Sequence, residues 1–307
     1  MIQIYKVRGV LRLCAALAFI AVSLTSTADA RELEIKSYKD VEAYFERVGF
    51  TRESWLSGSR EVPNFTFTTI GENWRKVTVH KIDVARKKRL FFRALAPFGL
   101  KANKAVMADR MQLQNILKNK SPSTADVDWL WAMAIRYRVA KEKSGDLSAA
   151  QLDDLSNRVD IVPLSLILAQ AAEESGWGTS RFTSEGNSLF GQWSWGKNIM
   201  RPKQQRAELG DYGLAAFDTV LDAVKSYVHN LNSGPAYVEL RKIRATMRAN
   251  GGDVRGLGLT NGLLKYSERG QDYVDGLQAI MRVNKLADAD FTYLSDGEEI
   301  VFVLGEN

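Results

Sequence analysis

The segment from Val162 to Gly178, VPLSLILAQAAEESGWG, constrains the chain more than any other. Pro163 falls in a first helical turn, where its missing N–H leaves no bond unmade. The apolar, alanine-rich run after it predicts a helix that stops at Gly176, with Gly176-Trp177-Gly178 as a permissive exit. On a wheel of about 100° per residue, Leu164, Leu168, Ala171 and Ser175 share one face. Glu173 falls opposite that face and reads as solvated. Glu174 falls beside Ile167, on the flank of the apolar stripe. In a last turn the helix dipole disfavours negative charge, so a half-buried carboxylate there is expected to hold its proton to higher pH. That property suits a general acid. A plain surface acid at a helix end fits the same spacing.

The first thirty residues differ from the rest. Lys6, Arg8 and Arg12 precede the apolar run Leu13 to Leu24, and Ala28-Asp29-Ala30 supplies a small-x-small cleavage pattern. This is the layout of a signal peptide over 1–30, so the chain is expected to be exported. The run is short for a membrane span; an uncleaved anchor is the alternative. Cys14 is the only cysteine, and it opens the apolar run rather than following it, which argues against lipidation. The remainder then has no thiol for a disulfide, a nucleophile or a metal site. With 45% hydrophobic and 25% charged residues in 307, the composition is that of a globular protein that relies on its core.

The formal net charge is +6, and loss of the leader reduces it only slightly. A mild basic excess suits a polyanionic wall or a membrane surface. The runs Arg86-Lys87-Lys88-Arg89 and Arg241-Lys242 read as solvated helix faces. No nucleic-acid-binding module accompanies them, so no nucleic-acid partner is expected. A plain leader without wall-binding repeats points to the periplasm.

Along the chain, helix is expected over 37–55 with Gly49 as a stop, then short strands or an ordered loop over 62–79. A long helical pattern over 84–117 carries breakers at Pro97 and Gly99, and a further helix is expected over 125–142. Lys143 to Gln151 is polar and reads as a connection. The expected organisation is a mostly helical region at 31–145, a catalytic domain at 146–290 and a tail at 291–307.

Downstream of the key helix comes Asn187-Ser188-Leu189-Phe190-Gly191-Gln192-Trp193-Ser194-Trp195. Aromatic faces stack on sugar rings and amides bind sugar hydroxyls, so a glycan groove is one reading. A core-and-turn segment is the other. The substrate-binding set expected here is Gln170, Trp177, Asn187, Phe190, Gln192, Trp193 and Trp195.

The run AQAAEESGWGTSRF followed by EGNSLFGQWSW resembles the glucosaminidase domain of bacterial autolysins and flagellar muramidases, glycoside hydrolase family 73-like. It is most similar to the Bax-type proteins. SYVHNLNSGPAYVELR and KYSERGQDYVDGLQAIMRVN extend the resemblance over about 150–285. It implies a mainly α (α+β), lysozyme-like helical domain with a small β-hairpin. It also implies cleavage of β-1,4 bonds between N-acetylglucosamine and N-acetylmuramic acid in the peptidoglycan glycan strand. Glu174 becomes the implied catalytic acid. The family's second acid lies on a hairpin that corresponds to 197–217, where Glu208 and Asp211 are the two acids, and Glu208 is the one chosen. If instead the substrate's acetamido group assists, Tyr237 is the residue implied to orient the sugar.

The alternatives are a lytic transglycosylase, which also uses one Glu on such a helix, and a wall-binding or scaffold protein without catalysis. A zinc amidase is disfavoured because His80 and His229 lie far apart without ligand spacing. No metal and no cofactor is expected. Ser194 lacks the Gly-x-Ser-x-Gly elbow of a serine hydrolase.

Overall fold

A computed structural model describes residues 31–195, 198–201 and 210–305. The expected leader at 1–30 and the acid Glu208 lie outside them. In chain order the elements are β1 (Arg31–Ile35), α1 (Tyr38–Arg47), α2 (Arg52–Leu56), β2 (Glu61–Val62), β3 (Phe65–Phe67), α3 (Glu72–Lys76), α4 (Val84–Lys118) and α5 (Thr124–Arg136). Then come α6 (Ala149–Arg158), α7 (Leu164–Ser175), α8 (Arg181–Gly186), β4 (Trp193–Ser194), β5 (Ile199–Met200), β6 (Gly213–Ala215) and α9 (Val220–Ser233). The last are α10 (Val238–Ala249), α11 (Gly256–Leu259), α12 (Gln271–Val283), β7 (Tyr293–Leu294) and β8 (Ile300–Leu304). The fold is mainly α with small sheets, consistent with a lysozyme-like architecture.

Helix α7 is the key segment, and Leu164 to Ala172 are all buried. Helices α4, α11 and α12 and the 3₁₀ segment Leu286–Phe291 surround it. Its start is fastened from three sides. Asn103 of α4 donates to the Val162 carbonyl at 2.7 Å and accepts from the Val162 N–H at 3.1 Å. The fully buried Arg244 of α10 donates to the Ile161 carbonyl at 2.8 Å. Asp290 accepts the N–H groups of Ser165 and Gly256, both at 2.9 Å, and so caps α7 and α11 together. The helix ends at Gly176 in the left-handed region, as the sequence predicts.

Helix α4 runs unbroken through Pro97, where a break was expected. Leu95 to Gly99 are all buried, so packing outweighs the one backbone bond that proline removes. Gly99 marks the crossing of α4 over α7. A Cβ there would stand 2.5 Å from Leu164 Cδ1, so a larger residue would have to displace the Leu164 side chain. The main core therefore contains α4 residues such as Phe98, Val106 and Leu113 beside α7 and α9 residues, and it does not divide at residue 145.

Within the segment expected as a tail, residues 293–294 and 300–304 form strands. β8, with sequence IVFVL, is the central strand of a parallel sheet ordered β1-β8-β3, with Leu33 and Phe67 both in register with Phe302. Phe302 stacks on Phe65 at 4.7 Å and meets Tyr44 edge-on at 5.1 Å, forming a second, smaller core with Phe45 and Leu90. β2 pairs with β7 in parallel, and β4, β6 and β5 form an antiparallel sheet. The first helical stretch is interrupted at Gly49, φ +70°, as expected, and α2 follows it; two other local expectations shift. α5 stops at Arg136, and Arg138 turns left-handed. Within 62–79 the strands β2 and β3 are followed by α3 rather than by more strand. Among the described residues no helix is long and apolar enough to cross a membrane.

Candidate active site

Glu174 emerges half-buried from the last turn of α7. The hydroxyl of Tyr273, on α12, donates to its Oε1 at 2.7 Å. Gln170, one turn earlier on α7, donates its Nε2–H to the Tyr273 hydroxyl oxygen at 2.9 Å, and the Tyr227 hydroxyl of α9 donates to Gln170 Oε1 at 2.5 Å. The donors run in one direction. A phenol has one proton, and here Tyr273 commits it to Glu174. Oε1 is thereby an acceptor. Oε2 faces the turn at Gly191, where an added Cβ would lie 3.1 Å away. Gly191 has φ +59°, so glycine is favoured there on both grounds.

Burial holds the Glu174 carboxyl above its ordinary range; the Tyr273 hydrogen bond opposes this, the Glu173 charge adds to it and Arg269 opposes it. Glu173 is not simply solvated as the wheel implied. It pairs with Arg269 at 2.6 Å, and that guanidinium also lies 5.1 Å from the centre of the Tyr273 ring.

Aromatic rings pack this constellation. Phe190 stacks on Tyr227 at 3.9 Å, and Tyr266 stacks on Tyr273 at 5.4 Å while donating its hydroxyl to the Phe190 carbonyl at 2.8 Å. Burial pushes the phenols of Tyr227, Tyr266 and Tyr273 upward, so they remain donors through neutral pH.

Several residues expected to bind substrate are placed elsewhere. Gln170 has no exposed surface; it is a bridge behind Glu174. Phe190 is buried against Tyr227. Asn187 is the buried left-handed cap of α8 and donates to the carbonyls of Phe217 and Asp218. The Trp177 ring turns toward α4, meeting Phe91 and Phe92 edge-on. Tyr237 is buried against Tyr266, and its hydroxyl accepts from Asn230 at 3.4 Å. Gln192 is half-buried beside the hairpin and accepts the Ala215 N–H through its carbonyl. Trp193 and Trp195, 57% and 65% exposed, stand on and beside β4, with Trp193 against Tyr212 at 5.1 Å. Asp211 forms a two-bond pair with Arg201, each bond 2.8 Å.

The sequence reading missed Tyr273, Tyr227 and Tyr266. One signal was present. In α12 the buried positions Tyr273, Val274, Leu277 and Met281 form one face, and a tyrosine on a core face needs a partner for its hydroxyl.

A family model described as Mannosyl-glycoprotein endo-beta-N-acetylglucosaminidase (Glucosaminidase) matches residues 149–286. The chain is 33% identical to Protein bax of Escherichia coli (strain K12) over 199 residues, 65% of this chain and 70% of that protein. No solved structure matches the chain.

Proposed function

The chain belongs to the Bax-type glucosaminidase-domain proteins, a glycosidase family, and we propose that it is an exported endo-β-N-acetylglucosaminidase of the peptidoglycan glycan strand. One observation carries the reading. Glu174 is a half-buried acid with a raised pKa, one oxygen engaged by Tyr273 and the other turned to Gly191.

The chemistry follows from that polarity. With Oε1 occupied as an acceptor, the acidic proton sits on Oε2 and passes to the glycosidic oxygen. The C1–O bond breaks, the leaving sugar departs with a free hydroxyl, and Glu174 is left as a carboxylate. The Tyr273 hydroxyl and the Arg269 charge stabilise that carboxylate as it forms. Trp193 and Trp195, on and beside β4, supply exposed ring faces for pyranose rings. Water completes hydrolysis at C1, and Glu208, in the sequence between β5 and β6, is the acid we assign to activate it. Peptidoglycan lies outside the cytoplasmic membrane, which agrees with the leader pattern at 1–30 and a periplasmic location.

The test is digestion of purified peptidoglycan by the wild type beside Glu174→Gln, with mass spectrometry of the reduced fragments. New reducing-end N-acetylglucosamine made by the wild type alone is the expected result. Anhydro ends would reassign the chain to transglycosylase chemistry, and no cleavage by folded wild type would make it a binding protein.

A further inference from the structure

Three successive residues with positive φ follow Glu174 and Ser175: Gly176 at 57°, Trp177 at 63° and Gly178 at 76°. Glycine takes this region freely. Tryptophan does so only where its surroundings enforce it. The enforcing contacts come from outside residues 149–286, the stretch matched by the family. Trp74 of α3 donates its indole N–H to the Trp177 carbonyl at 3.0 Å. Phe91 and Phe92 of α4 meet the Trp177 ring at 5.8 and 5.0 Å, and Lys88 Nζ stands 4.8 Å over it. A Cβ on Gly178 would lie 3.1 Å from Trp74 Nε1 and 3.2 Å from Phe91.

The turn is tied in return to α7. The Trp177 N–H donates to the Ala172 carbonyl, and the Gly178 N–H donates to the Ser175 hydroxyl at 2.8 Å. Whatever holds Trp177 therefore holds the last turn of the helix that carries Glu174. We propose that Trp74 is a positioning residue for Glu174, and that the 31–145 region thereby completes the catalytic site. The inference rests on the reading of Glu174 as the general acid. Trp74 touches neither substrate nor reacting atoms. Without its bond the turn relaxes, the last helical turn loosens, water reaches the carboxyl, and the burial that retains its proton is relieved.

The experiment compares full-length wild type with Trp74→Phe, which keeps a ring but lacks the donor. The Glu174 carboxyl is titrated by carbon-13 NMR, its signal identified by its absence in Glu174→Gln, and rates are measured on purified peptidoglycan. In Trp74→Phe the Glu174 midpoint is expected to move down toward the ordinary carboxylate range. The kcat is expected to fall about ten- to a hundredfold with KM little changed, and the basic limb of the pH profile to move down with the midpoint. Gly178→Ala presses on the same contact from the other side and is expected to shift the midpoint the same way should Trp74→Phe fail to fold. An unchanged midpoint in a folded variant would overturn the proposal. An inactive wild type would instead overturn the functional reading, and the NMR midpoint would still decide the role of Trp74.

Discussion

Replacing Tyr273 with Phe removes one oxygen atom and breaks two hydrogen bonds: the donation to Glu174 Oε1 at 2.7 Å and the acceptance from Gln170 Nε2 at 2.9 Å. The first bond favours the ionised form of Glu174. A hydrogen bond to a charged group contributes roughly 1.5–3 kcal/mol, and one pKa unit corresponds to about 1.36 kcal/mol. Its loss should therefore raise the Glu174 titration midpoint by about one to two units and move the basic limb of the kcat profile to higher pH. The carboxylate formed after proton transfer also loses its donor, so kcat should fall about tenfold or more. The stranded Gln170 amide, buried without a new acceptor, should lower folding stability by about 1–3 kcal/mol. Release of soluble fragments from purified peptidoglycan across pH 4–9 (on the order of ten conditions, spaced to resolve a shift of about one unit), beside a urea melt, tests both effects. A basic limb that stays in place or moves down, with kcat retained, would refute the argument that Tyr273 serves the ionised form.

Glu174→Gln should abolish cleavage and also stabilise the fold at alkaline pH. A raised folded pKa means that the protonated acid favours the native state; this contribution is full below the ordinary carboxylate range and is lost as pH rises through the folded value. Gln stays neutral, so its melting temperature should exceed the wild type's near pH 8 and match it near pH 4, measured by calorimetry. Trp193→Ala and Trp195→Ala should each raise KM severalfold, to about tenfold, while leaving the melting temperature within about 2 °C, because both rings are largely exposed. Phe302→Ala should cost about 3–5 kcal/mol in a urea melt and should deprotect the amides of β1 and β3 in hydrogen exchange, since Phe302 links both strands to the smaller core.

The helix that carries Glu174 was legible in sequence because its signals are local. Pro163, the apolar wheel and Gly176 act within a few turns of one another, and the same short range places Glu174 on the flank of the stripe and at the end of the dipole. The mainly helical class was implied by the family resemblance, and the helical periodicity of the single segments agrees with it. The partners of that carboxyl were not legible. Tyr273 lies 99 residues further on, Trp74 reaches a carbonyl 103 residues away, and β8 enters a sheet with strands more than 200 residues earlier. Such contacts depend on how whole helices pack. The close crossing at Gly99 sets α4 against α7, and the packing of α12 on α7 brings Tyr273 to Glu174. Packing decides where three of the other expected side chains sit. Phe190, Asn187 and Trp177 carry side chains suited to a sugar, yet the core, the cap of α8 and the face of α4 claim them, because an apolar ring or an amide gains more from a closed partner inside the fold than from water at its edge.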